Sequence, residues 1–373
     1  MLHLTKKNKP LVPPLSSSAD EQLNDDRDSV LEEIQTNYYS LCWASTRLQN
    51  DYEVVLSAIK QNGKALEFAS DELKNNKSLV HQAINNNKEA FQFASVLLRD
   101  DFDTALIAVK KYGFNFYEVS NALKKNHTIA LTALQKDPNV FYLVGKTLKA
   151  DPVFMLEAIK TSNIVLDKET IKPYENDFDI MLALVRKNGE SLQYASATLK
   201  DNKTLILAAS KQCDSAFNFV THEIRNDKNF MKQAIIENNL LLYYASTQLK
   251  NNREFVLEVI EGTFGAQFYY VSDELKKDIE IAFLAVRKSP DMIEFVSPEL
   301  KNNLELVLIA VKYDGDLIEY ASKRLQQDRS VIFEAVKQDY KALEYASTAL
   351  RDDFELILEA LKHDVEAIKY ASE

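Results

Sequence analysis

The chain has 373 residues, 46% of them hydrophobic and 27% charged, which supplies a folded core and argues against wholesale disorder. Lysine and arginine number 45 against 56 aspartates and glutamates, so a net charge of −11 gives no support to a general clamp for DNA or RNA. Seven glycines and eight prolines in so long a chain favour helices over many short strands, and no apolar run is long enough for a transmembrane helix.

The first nine residues, Met1 to Lys9, have no apolar stretch after their lysines, which argues against a secretory signal peptide. Residues 1–19, with Pro10, Pro13, Pro14 and Ser16 to Ser18, read as a flexible leader. From residue 20 onward the sequence repeats. Taking the serine of a recurring Ala-Ser or Val-Ser pair as position zero, the slot falls at Ser45, Ser70, Ser95, Ser120, Gly145, Ile171, Ser196, Thr221, Ser246, Ser272, Ser297, Ser322, Ser347 and Ser372. Eleven steps are of 25 residues and two are of 26, and an earlier half-copy shows in Leu23, Asp26 and Leu31. A unit this short cannot bury its own apolar faces, so neighbours must stack. The expected fold is all-α, an α-solenoid of about fourteen 25-residue two-helix repeats whose second segment is short and partly 3-10.

Six residues after the serine slot comes Asp or Asn every time, from Asp51 and Asn76 to Asp328 and Asp353. These residues cap helix N-termini by accepting free backbone N–H groups. The helix that follows, segment A, carries apolar residues at i, i+3 and i+4, as in Val55, Ala58 and Ile59. Ala fills the middle slot in eleven of thirteen copies, predicting close approach of neighbouring helices. Gly63, Gly113, Gly189, Gly315, Pro138 and Pro290 read as its stop and turn signals. In segment B, an aromatic two residues before the serine recurs in eleven of fourteen copies (Trp43, Phe68, Tyr244 and others) and reads as a core stripe.

Breaks in the repeat are the candidate functional positions. The slot before the recurrent aromatic is normally polar, as at Glu67 and Glu319, but is Tyr117, Tyr142, Tyr243 and Tyr269 in four copies. Tyr243 and Tyr269 retain the aromatics beside them and are expected to mark a partner-binding patch, since exposed tyrosines anchor interfaces. Tyr117 and Tyr142 replace the missing aromatics at Glu118 and Leu143. Residues 161–178 form an irregular repeat or bend, where Ile171 stands in the serine slot and Pro173 interrupts. The array thus reads as an N-terminal part, 20–160, and a C-terminal part, 179–373.

The stretches 62–75 and 344–362 resemble a tandem repeat family described only as a domain of unknown function, common in effector proteins of amoeba-infecting intracellular bacteria. The resemblance covers about residues 20–373 and implies an effector delivered into a host cytosol by a bacterial secretion system. It brings no catalytic residues with it.

The residues themselves offer no chemistry to set beside that. His3, His81, His127, His222 and His363 form no metal-ligand spacing, no phosphate loop or nucleophile elbow is present, and no cofactor, metal site or enzyme activity is expected. Cys42 and Cys213 lie 171 residues apart, so a disulfide is not expected and a reducing, cytoplasmic setting fits. His81 and Lys232 occupy a slot that is Leu in most copies and read as edge substitutions. Two series of cations, one after segment A (Lys60, Lys110, Lys160) and one after segment B (Lys74, Lys124, Lys250), would form ridges. They read first as complements to helix C-termini. The expected function is a non-enzymatic protein-interaction scaffold. The alternatives are a binder of anionic lipid or nucleic acid through those ridges, or the recognition module of a larger enzyme.

Overall fold

The computed structural model describes residues 25–371, so the leader 1–19 lies outside the described residues. Among these residues the regular structure is entirely helical. Segment A is an α-helix of eight to ten residues, such as Tyr52–Gln61 and Arg329–Val336. Segment B is broken in two, a 3-10 helix such as Gly63–Phe68 followed by one short turn such as Asp71–Lys74.

Three caps set these boundaries. At every segment A after the first, the Asp or Asn cap accepts N–H bonds, as Asp51 does from Glu53 and Val54 at 3.0 and 3.1 Å. A second Asn or Asp, eleven residues later, starts the 3-10 helix. Asn62 accepts from the Lys64 N–H at 3.0 Å, and Asn188, Asn238, Asp314 and Asp339 act alike. The serine is the third cap, with Ser70 Oγ accepting from the Leu73 N–H at 3.2 Å. Each such cap is worth about 1 kcal/mol.

The core lies between repeats. Segment A buries Val54, Val55, Ala58 and Ile59, none more than 1% exposed. The 3-10 helix has three residues per turn, which puts Gly63, Leu66 and Ala69 on one buried face. That periodicity corrects the reading of the aromatic stripe. The core slot is four residues before the serine, where Leu41, Leu66, Phe91, Phe116, Phe217, Leu242 and Phe268 are each 0% exposed. The aromatic two residues before the serine lies off that face, so Phe68 and Tyr244 are half-buried and Trp43 is largely exposed.

The glycines also have a different role from the one read in the sequence. Gly63, Gly113, Gly189 and Gly315 do not have positive φ. A Cβ on Gly63 would lie 2.2 Å from the Ala83 carbonyl oxygen, and one on Gly315 would lie 2.2 Å from that of Ala335. Glycine is there because the next repeat's segment A presses its backbone against this position.

A serine clamp fixes the register of successive repeats. The Ser95 N–H donates to the Lys74 carbonyl at 2.9 Å, and the same bond joins Ser70 to Gln49, Ser246 to Arg225 and Ser322 to Lys301. The Ser95 hydroxyl donates to Asn75 Oδ1 at 2.6 Å, Ser272 to Asn251 at 2.7 Å and Ser322 to Asn302 at 2.6 Å. Thr221 keeps the hydroxyl and its bond to Asp201. Where the acceptor becomes Lys125, the serine slot is Gly145, whose added Cβ would lie 2.7 Å from the lysine side chain. Ser297 faces Lys277 and instead bonds the Glu299 carboxylate.

The chain divides into two compact units, the first ending at Tyr174 and the second starting at Glu175. The first ends in the irregular repeat, in which 163–167 form no helix, Asp167 caps Lys168–Ile171, and the buried Tyr174 donates its hydroxyl to the Lys149 carbonyl at 2.5 Å. The second carries the repeats that follow, from segment A at Phe178–Lys187 onward.

Two consequences are measurable. Gly315→Ala drives a methyl into the Ala335 carbonyl and should cost about 1–3 kcal/mol, lowering the urea midpoint. Gly262→Ala, whose Cβ would make ordinary 3.4 Å contact with Ile236, should leave the midpoint unchanged or raise it. Hydrogen bonds from Lys77 and Thr104 push the Asp101 carboxyl down to about 2, and bonds from Lys203 and Arg329 lower Asp227 and Asp353. Carboxylates whose folded pKa lies below the ordinary 3.8 stabilise the fold fully above pH ~4. That contribution disappears as pH falls toward 2. Urea midpoints should therefore hold between pH 7 and 5 and fall steeply below 4, and Lys77→Met should flatten part of the fall.

Candidate interaction surface

The step from Ser246 to Ser272 carries one extra residue, and the structure places it between segment A and the 3-10 helix. Segment A ends at Gly262, Thr263, Phe264 and Gly265 follow, and the 3-10 helix runs Ala266–Tyr270. Gly265 has φ +89°, the one left-handed residue among those described. The detour turns Phe264 outward to 80% exposure.

Phe264, with the exposed Ile236 and Leu240, borders a cleft of about 690 Å³. Its other walls are Ser210, Lys211, Glu237, Asn238, Asn239, Ala266, Gln267 and Tyr270. Lys211 and Glu237 pair at 3.4 Å, so the lining carries no isolated charge from either. Gln267, only 2% exposed, is hydrogen-bonded to Thr263. A mostly apolar concavity with a few fixed polar groups is the usual form of a recognition site.

Tyr243 and Tyr269 stand beside this cleft, both more than half exposed. Each meets the recurrent aromatic of the next repeat edge-on, Tyr243 against Tyr270 at 5.6 Å and Tyr269 against Phe295 at 4.8 Å between ring centres. Tyr243–Tyr244 and Tyr269–Tyr270 contacts at 4.9 and 5.0 Å complete a continuous run of rings that passes the cleft at Tyr270. Tyr117 and Tyr142 form a separate pair in the first unit, edge-on at 5.9 Å and exposed. The hydrogen bond with Tyr117, followed by some desolvation, pushes the Tyr142 phenol up.

The cations of the second ridge are half-buried and directed inward. Lys124 donates to the Tyr117 carbonyl at 2.7 Å, Lys149 to that of Tyr142 at 3.2 Å, and Arg351 to that of Glu344 at 2.6 Å. Lys250 donates to the Tyr243 carbonyl in the same way. They close the C-terminal ends of their own 3-10 helices, and burial pushes Lys124, Lys149 and Lys250 down. The heads of Lys60, Lys110 and Lys160 in the first ridge are exposed. His81 Nε2 lies 3.1 Å from Thr104 Oγ and Lys232 pairs with Glu258 at 2.6 Å, each across to the next repeat. Burial, followed by Lys77, pushes the His81 imidazole down.

Among the described residues no cluster of three His, Cys, Asp or Glu is arranged to hold a metal ion, and no helix is long and apolar enough to cross a membrane. Neither Cys42 nor Cys213 is in a disulfide. Tyr243 and Tyr269 stand out in the sequence, whereas Ile236, Leu240, Phe264 and Gln267, which line the cleft, do not. The 26-residue step, with a phenylalanine and a glycine at the insertion, is the signal that points to them.

No curated protein and no solved structure matches the chain. A family model described as a domain of unknown function (DUF4116) matches residues 26–74, 51–99, 76–124, 177–225, 227–263, 252–301, 303–351 and 328–373. Each match begins on the Asp or Asn at the N-terminal boundary of a segment A, and most extend over two periods. The interval without a match, 125–176, holds Gly145 and Ile171, the two copies that lack a hydroxyl in the serine slot. With these matches covering well over half of its length, the chain belongs to the DUF4116 family as an array of its tandem repeats.

Proposed function

We propose that the chain is a non-enzymatic protein-interaction scaffold whose partner seats on the cleft of the second unit and the tyrosines beside it. The observation that carries this reading is the gathering of Ile236, Leu240 and Phe264, each about half exposed or more, around one concavity, with Tyr243 and Tyr269 in ring contact with its Tyr270. Stacked repeats normally hide such side chains, and an exposed apolar cluster of this kind marks an interaction site. The family resemblance supports a finer placement, a translocated bacterial effector that acts on a host protein in the cytosol. Binding of anionic lipid or nucleic acid has less support, because Lys124, Lys149 and Lys250 of the second ridge close their own helix ends.

The test is a cross-linked pull-down from eukaryotic lysate at low and moderate salt, with the wild-type chain beside a Leu240→Asp/Phe264→Asp variant of unchanged circular dichroism. The expected result is a protein retained by the wild type at moderate salt and reduced at least about tenfold by the variant, as loss of an interface anchor implies. Equal recovery by both would contradict the assigned site. Recovery of only lipid or nucleic acid that disappears with added salt would contradict the scaffold reading itself.

A further inference from the structure

The phenol hydroxyls of Tyr243 and Tyr269 face solvent. Both side chains are more than half exposed, and neither hydroxyl has a hydrogen-bond partner among the described residues. The bond at Tyr243 uses its backbone carbonyl, which accepts from Lys250. Tyr117 and Tyr142 hold the same slot in the first unit but are joined to each other by a side-chain hydrogen bond. Tyr243 and Tyr269 instead both rest on Tyr270, which meets their rings edge-on at 5.6 and 5.0 Å. The second unit therefore presents two fixed, amphipathic rings one repeat apart, each with a hydroxyl free to donate outward.

That spacing selects a ligand. A polyproline II helix turns once in three residues and advances about 9.3 Å per turn, close to the roughly 8–10 Å between packed repeats. Residues i and i+3 of such a segment therefore meet successive tyrosines. It makes no internal hydrogen bonds, so its carbonyls remain open to phenol donors. An α-helix has its interior carbonyls already bonded, and a β-strand repeats one face every ~6.7 Å, so neither supplies both the acceptors and the spacing. Charge narrows the choice further. The slot that Tyr243 and Tyr269 occupy becomes Glu294, Glu319 and Glu344 in the next repeats. Glu294 is exposed and in no ion pair among the described residues. These carboxylates repel a phosphate backbone, which disfavours nucleic-acid bases stacked on the rings, and they suit a cation one turn beyond Tyr269.

We propose that the tyrosine pair docks a proline-rich segment of the partner in the polyproline II conformation. Prolines at i and i+3 pack on Tyr243 and Tyr269, whose hydroxyls donate to carbonyls of the segment, and a lysine or arginine at i+6 lies against Glu294. Such a segment is stiff before it binds, so little conformational entropy is lost, and aromatic-lined surfaces recognise it for that reason. From i to i+6 it covers about 19 Å at ~3.1 Å per residue, which is two repeat steps. The inference rests on the scaffold reading and names the chemistry that the partner brings to the tyrosines beside the cleft.

The probe is a fluorescent peptide of nine prolines followed by Ala-Ala-Arg, titrated against the full chain and read by anisotropy. It should bind at least about tenfold more tightly than the same peptide built from D-proline, which has equal charge and the opposite helical hand. Tyr243→Ala and Tyr269→Ala, with unchanged circular dichroism, should each weaken binding about tenfold. The Phe variants at these positions keep the ring and should lose about threefold. Tyr117→Ala/Tyr142→Ala should have no effect. Glu294→Lys should cost about threefold at low salt and nothing at high salt. Equal binding of the two peptides, binding insensitive to the tyrosines, or preference for oligothymidine over the proline peptide would overturn the proposal. If the pull-down partner is nevertheless lost with Leu240→Asp/Phe264→Asp, the scaffold reading survives that failure. If no partner is recovered either, both fall.

Discussion

One side chain in most repeats, the serine at the start of the last turn, holds neighbouring repeats in register. It donates its backbone N–H to a carbonyl of the preceding repeat, donates its hydroxyl to an Asn or Asp there, and accepts the N–H of a leucine three residues on. Only a small hydroxyl residue meets all three demands, and threonine at 221 is tolerated with the cross-repeat bond kept. In two adjacent copies the acceptor and the serine are lost together, whereas Ser297 is kept opposite Lys277. Lys125 is matched by Gly145, and Ala150, in the same slot one repeat later, is matched by Ile171. With the register fixed, Ala83 can press its carbonyl against Gly63, and the core slots can close to zero exposure.

The candidate surface follows from the same constraint. An extra residue within the repeat that ends at Ser272 cannot be absorbed by the clamp, since Ser272 still bonds Asn251 and Lys250. It is absorbed before the 3-10 helix, where Gly265 takes a left-handed conformation and Phe264 is turned outward. A rigid stack thereby presents an apolar side chain at a defined place, which lowers the ordering cost of binding there.

Much of this was legible beforehand. The 25-residue period, the Asp and Asn caps of segment A and the all-helical class follow from sequence spacing, because capping chemistry and apolar periodicity act locally. The aromatic stripe was misplaced because a 3.6-residue period was applied to a segment that winds at three residues per turn, which moves Phe68 off the face of Leu66. The role of Gly63 was hidden because it depends on Ala83, twenty residues away in the next repeat. Tyr243 and Tyr269 stood out as departures from a polar slot. The cleft beside them did not, because its walls come from three successive repeats.

The claim that the serine hydroxyl couples adjacent repeats is tested most directly by a double-mutant cycle in urea on Ser95→Ala and Asn75→Ala. Ser297→Ala and Lys277→Ala, which share no such bond, form the comparison. The account predicts a coupling of about 0.5–1.5 kcal/mol for the first pair and none for the second. Strictly additive effects at Ser95 and Asn75 would contradict it.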